Sequence, residues 1–352
     1  MLRVLSIPGR THDNRFFGLL ADALEQEDVI IVAPSLRNTI TFAFDVLHLN
    51  FPTHYIEDYK IFKASILSFL LGSYLVIAKL LGRRLIYTVH DVTPFRITHR
   101  LLLKAFLRLT HWATDAFIFL SNSSRAEFVQ VYPQDAGKKW ITTLHGPYPV
   151  TMLTTQERDQ RRRDLAIGST DVTVGFLGNI KPYKNIAALA QLPTNLADGR
   201  AVRAVVAGRI ESGHEGAVEA LLDSRPSGSV IRVDGRLTDA RLDELIQIVD
   251  FVLLPYTKGS NSGVAMLVLS NHGRVIGSDL SIFRELAASV RPPWAYSFST
   301  GNTSASNLQT TLEHAAAQPV TPKDVSELAA FLERTSFASA AKAIKTLCDS
   351  IR

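Results

Sequence analysis

Val172-Thr173-Val174-Gly175-Phe176-Leu177-Gly178-Asn179-Ile180-Lys181-Pro182-Tyr183-Lys184-Asn185 is a near-continuous apolar run that ends in a glycine and a short turn carrying two lysines. An apolar run of strand length without polar alternation is the pattern of a parallel strand buried on both faces. The glycine behind it lets the backbone approach a ligand, and lysines three apart at such a turn would neutralise a departing diphosphate. Outward from this stretch the pattern recurs. Val202–Ala207 is followed by Gly208-Arg209, which adds a planar fork donor. Phe251–Leu254 runs into Pro255-Tyr256-Thr257-Lys258-Gly259-Ser260-Asn261-Ser262-Gly263-Val264, a turn that offers small residues, backbone N–H groups and hydroxyls to a phosphate at the start of a helix. Val230–Val233 and Arg274–Ile276 complete the series.

The first half repeats the alternation. Leu2–Ile7, Val29–Val32, Val46–Leu49, Leu85–Val89, Ala116–Leu120 and Ile141–Leu144 read as strands, with helices over about 14–25, 62–81, 98–113 and 123–131. A chain of 352 residues exceeds what one core usually organises. The expected class is therefore α/β with two Rossmann-like, doubly wound domains. A polar stretch over 154–164 marks the boundary, so the domains are placed at 1–165 and 166–330. Residues 331–352 form a C-terminal helix that need not belong to the domain it follows.

Apolar residues are 46% and charged residues 20% of the chain, a balance that suits large cores and argues against overall disorder. Cys348 is the only cysteine, which excludes an intramolecular disulfide and a multi-cysteine metal site and favours a reducing compartment. No signal peptide follows Met1, and the charge-free run 64–78 falls short of a membrane span. The net charge of +5 is unevenly spread: between Tyr59 and Thr114, nine basic residues including Lys60, Lys63, Arg96, Arg100, Lys104 and Arg108 face Asp91 alone. Interleaved with Leu, Ile and Phe, and without a base-stacking or helix-turn-helix signature, this belt points to an anionic membrane surface rather than to nucleic acid. The ordinary alternative is a pair of helices packed on the sheet.

In open parallel sheets ligands bind beyond the carboxyl ends of the strands. The loop after the first strand supplies His12 and Asp13, as base or ligand contacts or, in the plainer reading, as a cap and a solvated ring. After Val89 come His90 and Asp91, an imidazole able to bond a sugar and a carboxylate able to take a proton from an attacking hydroxyl. The structural alternative makes Asp91 a turn cap and His90 a satisfied half-buried residue. No Gly-x-x-x-x-Gly-Lys-Ser/Thr loop, no Gly-x-Gly-x-x-Gly after the first strand and no Asp-x-Asp is present, so a metal-free chemistry without a resident cofactor is expected.

The ordered set His90-Asp91-x-x-Pro94, Asp115-x-Phe117-Ile118-x-x-Ser121, His145-Gly146, Phe176-x-Gly178-x-Ile180-x-Pro182-Tyr183-Lys184, Gly208, Asp250-x-x-x-x-Pro255-Tyr256 and Ser262-Gly263 resembles the GT-B glycosyltransferases. That resemblance implies two Rossmann-like domains facing across a cleft and a nucleotide-sugar donor. With the strand end at His48-Leu49-Asn50-Phe51-Pro52 and the basic belt, the chain is similar to bacterial exopolysaccharide enzymes of the xanthan type, which implies GDP-mannose as donor, a polyprenyl-diphosphate-linked glycan as acceptor and the cytoplasmic face of the inner membrane. Carried onto this chain, Gly178, Lys181, Lys184, Arg209, Tyr256, Ser260, Asn261, Ser262 and Gly263 hold the donor. Asp91 acts as base in an inverting transfer, assisted by His90 or by His12 and Asp13. One departure stands out: many relatives carry two Glu residues spaced by seven where this chain has Ser260 and Val268, so Asn261 and Ser262 are named as substitutes. Alternatives kept open are a retaining transferase of the same fold, a catalytically silent module of a polysaccharide assembly complex, and a sugar-nucleotide epimerase.

Overall fold

A computed structural model describes residues 1–10, 14–57, 59–94, 99–233, 235, 237–299 and 304–352. The chain forms two compact units, 1–146 with 334–352, and 147–333.

The first unit alternates β1 (Leu2–Ile7), α1 (Arg15–Gln26), β2 (Val29–Val32), α2 (Leu36–Ile40), β3 (Val46–Asn50), α3 (His54–Glu57), α4 (Ile61–Leu80), β4 (Arg84–Val89), α5 (Arg100–Ala113), β5 (Ala116–Phe119), α6 (Asn122–Val131) and β6 (Lys139–Thr142). All six strands are parallel, in the order β2-β1-β3-β4-β5-β6, with Val4 opposite Val46 and Val46 opposite Arg84. Because side chains alternate across a strand, consecutive residues feed opposite cores. Val4, Val46, Ile86 and Ile118 pack with Phe16, Phe17 and Leu20 of α1. Leu5, Leu47, Tyr87 and Phe117 pack on the other face with Leu75 of α4 and Phe128 of α6. That two-sided burial is the reason the strands lack polar alternation.

The second unit comprises α7 (Thr155–Asp164), β7 (Val172–Leu177), β8 (Val202–Ala207), α8 (Glu215–Ser224), β9 (Val230–Val233), α9 (Asp239–Ile248), β10 (Phe251–Leu254), α10 (Gly263–Ser270), β11 (Val275–Ser278), α11 (Ser281–Val290), β12 (Ala295–Phe298), α12 (Ser304–Ala317) and α13 (Pro322–Arg334), the last ending at the unit border. Its parallel sheet has the order β12-β11-β10-β7-β8-β9. The α/β class with two doubly wound sheets is the one read from the sequence.

Three features add detail to that reading; the second of them, the return of the C-terminal helix to the first unit, is as expected from the sequence. The charged stretch 154–164 is helix α7, opened by a Thr154–Glu157 capping box, and its buried Arg162 donates to the Ile248 carbonyl at 2.8 Å, within the second unit. Helix α14 (Phe337–Ile351) returns to the first unit, where Phe337, Ala341, Ile344 and Leu347 join α1 over the sheet. Helix α4 has 20 residues, because Lys63 and Lys79 lie inside it rather than at its ends, and by length and composition it is long enough to cross a membrane.

Candidate functional site

In the second sheet the chain runs β7, β8, β9 toward one edge, then returns to set β10 on the other side of β7. The loops beyond β7 and β10 therefore diverge, which is where doubly wound sheets bind ligands. Gly178 follows β7 at φ +94°, and its N–H donates to the Ala207 carbonyl at 2.9 Å. The loops behind β7 and β8 run back to back: Ile180 N donates to the Arg209 carbonyl and Glu211 N to the Ile180 carbonyl. A Cβ on Gly208 would lie 2.0 Å from the Gly178 oxygen, so this junction admits only glycine there.

Pro182–Lys184 is a single 3₁₀ turn, closed by Asn185 in the left-handed conformation at φ +54°. The turn folds the Lys184 side chain inward. Its ammonium lies 3.8 Å from where a Gly178 Cβ would be and 5.5 Å from the Tyr256 ring centroid, with the residue only 7% exposed. Burial, with the nearby Lys181 cation second, lowers its pKa to about 8. Among the described residues this ammonium has no hydrogen-bond or ion-pair partner.

Tyr256, buried beside it, meets Tyr183 edge-on at 5.6 Å, and its hydroxyl faces Ser262 without a hydrogen bond of standard geometry. Burial raises the Tyr256 pKa, so the phenol stays protonated and able to donate. Ser262 caps α10 by accepting the Ala265 N–H at 3.2 Å, leaving the first N–H groups of that helix at the same place. A buried cation and a buried hydroxyl, both lacking acceptors, at a glycine turn and a helix start make a site for an anion with several oxygens.

Of the residues expected to hold the donor, Gly178, Lys184, Tyr256 and the 260–263 turn are gathered here, with Ser260 buried. Lys181 is exposed beside Lys184, and Arg209 is exposed on the loop behind β8. Val268 is fully buried in α10 and offers nothing to a ligand. Sequence reasoning missed Thr257, whose N–H and hydroxyl donate to the Tyr183 carbonyl at 2.8 and 3.2 Å and tie the lysine turn to the β10 loop. It also missed Ser278, which donates to the Tyr256 carbonyl at 2.7 Å. Neither residue carries a local motif.

In the first sheet the reversal lies between β1 and β3. Asn50 ends β3, and its side-chain oxygen accepts from His90 Nε2 at 2.9 Å while its amide reaches the Ile7 carbonyl at 3.5 Å. This fixes the Nε2–H tautomer of His90. The ring stacks on Phe51 at 4.0 Å between centroids and is only 6% exposed. Burial, then the neighbouring His145, His48 and His54, holds its pKa well below the ordinary value, so the ring is neutral at pH 7. Asp91 follows it into a concavity lined by Phe51, Thr53, His54 and Pro94. A polar residue closing the short buried strand Val46–Asn50 was the signal for Asn50. His12, Asp13 and Arg96 lie outside the described residues. Lys60, Lys63, Arg100, Lys104 and Arg108 are exposed on or beside α4 and α5. No group of three side chains suited to a metal occurs among the described residues.

No family model matches the chain, and a comparison with curated proteins finds no match. Solved structures do match over full length. Anabaena HepE in complex with UDP and glucose is 15% identical with a TM-score of 0.62, covering 100% of this chain and 98% of that one. A glycosyltransferase from Rickettsia africae is 11% identical at 0.67, covering 99% and 98%. Sucrose-phosphate synthase from Thermosynechococcus elongatus is 13% identical at 0.69, covering 100% and 99%. At such identities the likeness is one of architecture, and the chain has the GT-B fold.

Proposed function

We propose that the protein is a nucleotide-sugar-dependent glycosyltransferase whose second unit holds the donor diphosphate. The observation that carries this reading is the buried Lys184, whose ammonium has no partner among the described residues and lies 5.5 Å from the Tyr256 ring centroid, at the β7/β10 reversal where the Tyr256 hydroxyl is also unbonded. In the proposed reaction the acceptor oxygen forms a bond to the anomeric carbon as the bond from that carbon to the diphosphate breaks. The diphosphate keeps the electron pair and is met by Lys184, Lys181, Arg209, Tyr256 and the Ser260–Gly263 turn, with Gly178 leaving room for it and Asn261 and Ser262 facing the sugar. The acceptor proton passes to Asp91, and neutral His90 orients the reacting hydroxyl or the sugar. His12 and Asp13 belong to the same proposed apparatus. A single displacement inverts the anomeric configuration, with the lysine and arginine cations taking the leaving charge.

The finer proposal is mannose from GDP-mannose onto a polyprenyl-diphosphate-linked oligosaccharide of exopolysaccharide synthesis, at the cytoplasmic face of a bacterial inner membrane. It rests on the motif resemblance. A uridine donor is the competing outcome, since HepE was solved with UDP. Calorimetric titration with GDP, UDP, ADP and their sugars tests the reading: one diphosphate should bind, and should bind about thirtyfold or more weaker to Lys184→Ala. Absence of binding by every nucleotide sugar would leave a silent module as the better account. Asp91→Asn should abolish transfer while keeping donor affinity, and a fully active variant would remove Asp91 from its role. The anomeric configuration of the product, read by NMR, separates inversion from retention.

A further inference from the structure

Helix α4 carries apolar side chains on every side, with Lys63 and Lys79 near its ends, yet only one side of it is covered. Ala64, Ser68, Gly72, Leu75 and Ala78 face inward, against α5 and the sheet. On the opposite side Phe62 is 77%, Phe69 74% and Leu80 80% exposed, with Ile66, Leu70 and Ile77 between them. Large apolar side chains repeated along about five turns of a helix are not scattered surface residues but a continuous band that water solvates badly. The neighbouring α5 continues it: Leu101, Lys104, Arg108 and Trp112, spaced three or four apart, share its exposed face, with Leu101 84% and Trp112 55% exposed.

The charge around this band selects its occupant. Lys60, Lys63, Arg83, Arg100, Lys104 and Arg108 flank it, while Lys79 is already paired with Asp115 at 3.3 Å, and neither α4 nor α5 contains an acidic residue. A second copy of the chain would bring two such basic rims together, whereas anionic lipid headgroups neutralise them. Tyr59 under the Lys63 ammonium at 3.8 Å, and Trp112 with Lys79 at 5.6 Å, are aromatic–cation pairs suited to the headgroup level.

We infer that the outer face of α4, with Leu101 and Trp112 of α5, inserts into one leaflet of an anionic bilayer, the helix lying in the membrane plane rather than spanning it. A spanning α4 would have to strip its Ala64/Ser68/Gly72 side from α5 and Leu75 from the sheet core, opening the first unit. The Gly72 approach to α5, where a Cβ would sit 2.8 Å from Leu109, shows how closely that side is packed. This inference stands apart from the donor reading: it concerns the first unit and is read by lipid binding, not by nucleotide binding.

Cosedimentation of the full chain with phosphatidylcholine vesicles, with and without phosphatidylglycerol, is the test. Binding should need the anionic lipid and weaken as salt is raised. Phe62→Ser/Phe69→Ser/Leu80→Ser should lower binding about a hundredfold, and Lys104→Glu/Arg108→Glu at least about tenfold, with circular dichroism and the urea midpoint checking that each variant is folded. Brominated lipid should quench wild-type tryptophan fluorescence and quench Trp112→Phe less, and an alkaline carbonate wash should release the protein. Failure of the wild type to bind anionic vesicles overturns the inference, as does undiminished binding by the folded triple variant. A lipid-independent dimer that the triple substitution abolishes would assign the band to a second copy instead, and resistance to carbonate would overturn the in-plane placement.

Discussion

Lys184 concentrates the chemistry of the second unit in one side chain. Its ammonium is taken out of water and faces another cation, Lys181, so its charged form is disfavoured until an anion arrives. Affinity for a nucleoside diphosphate should therefore fall as pH rises through about 8 in the free protein, by roughly tenfold per pH unit, and Lys184→Ala should lose that dependence. Calorimetry at a series of pH values measures it. In the first unit the histidines work the other way. Burial holds His48 and His145 at about 4, and His90 well below its ordinary value of 6.5. The folded state thus binds fewer protons than the unfolded chain. The stability carried by these neutral rings is present above about pH 6.5 and is lost as pH falls toward 4, on the order of 2 kcal/mol each for His48 and His145 by pH 5. The urea midpoint of the first unit should drop between pH 7.5 and 5; an unchanged midpoint would mean the rings are open to protonation in the native fold.

Between elements, the junction of β7 and β8 is the least tolerant place in the second unit. Gly208 sits at φ +135° with its missing Cβ directed at the Gly178 oxygen, and the three nearest atoms are all Gly178 backbone that cannot rotate aside. Gly208→Ala should destabilise this unit by more than about 2 kcal/mol and weaken nucleotide binding, because the strand ends that aim Lys184 must separate. Thermal unfolding with and without nucleotide reads both effects. The turn that follows is held by hydrogen bonds rather than by composition: Thr257 clamps Tyr183, and Ser278 clamps Tyr256. Pro182-Tyr183-Lys184 could be recognised in the sequence as a cationic turn, but the inward course of its lysine follows from these tertiary bonds.

Over the whole chain, the C-terminal helix completes the first core. Phe337 fills the space above Gly146, where a Cβ would lie 2.6 Å from its ring, and Ile344, Leu347 and Cys348 are buried with α1. Ile344→Ala should cost about 2–4 kcal/mol of first-unit stability, although the whole of the second unit, 147–333, separates α14 from the N-terminal part of that core. Differential scanning calorimetry should show the lowered transition to be the one that bound nucleotide does not raise. If instead the nucleotide-stabilised transition moves, α14 belongs to the other unit in solution.

The two-domain α/β class, the strand–helix alternation and the glycine and lysine loops could be read from residue order alone, because burial on both faces of a parallel sheet writes itself as apolar runs and ligand loops must follow strand ends. The short strand Ala295–Phe298 left too weak a trace, with Ser297 exposed on the sheet edge. Other properties depend on groups distant in the chain. His90 looks like a half-exposed loop histidine until Asn50 and Phe51 enclose it. Lys184 looks like a surface cation until Gly178 and Tyr256 take it out of water. Helix α4 looks like any apolar helix until its packing determines which side stays bare. Local pattern specifies which elements form, whereas solvation of a charge or an apolar face is a property of everything around it, and only the folded chain supplies those neighbours.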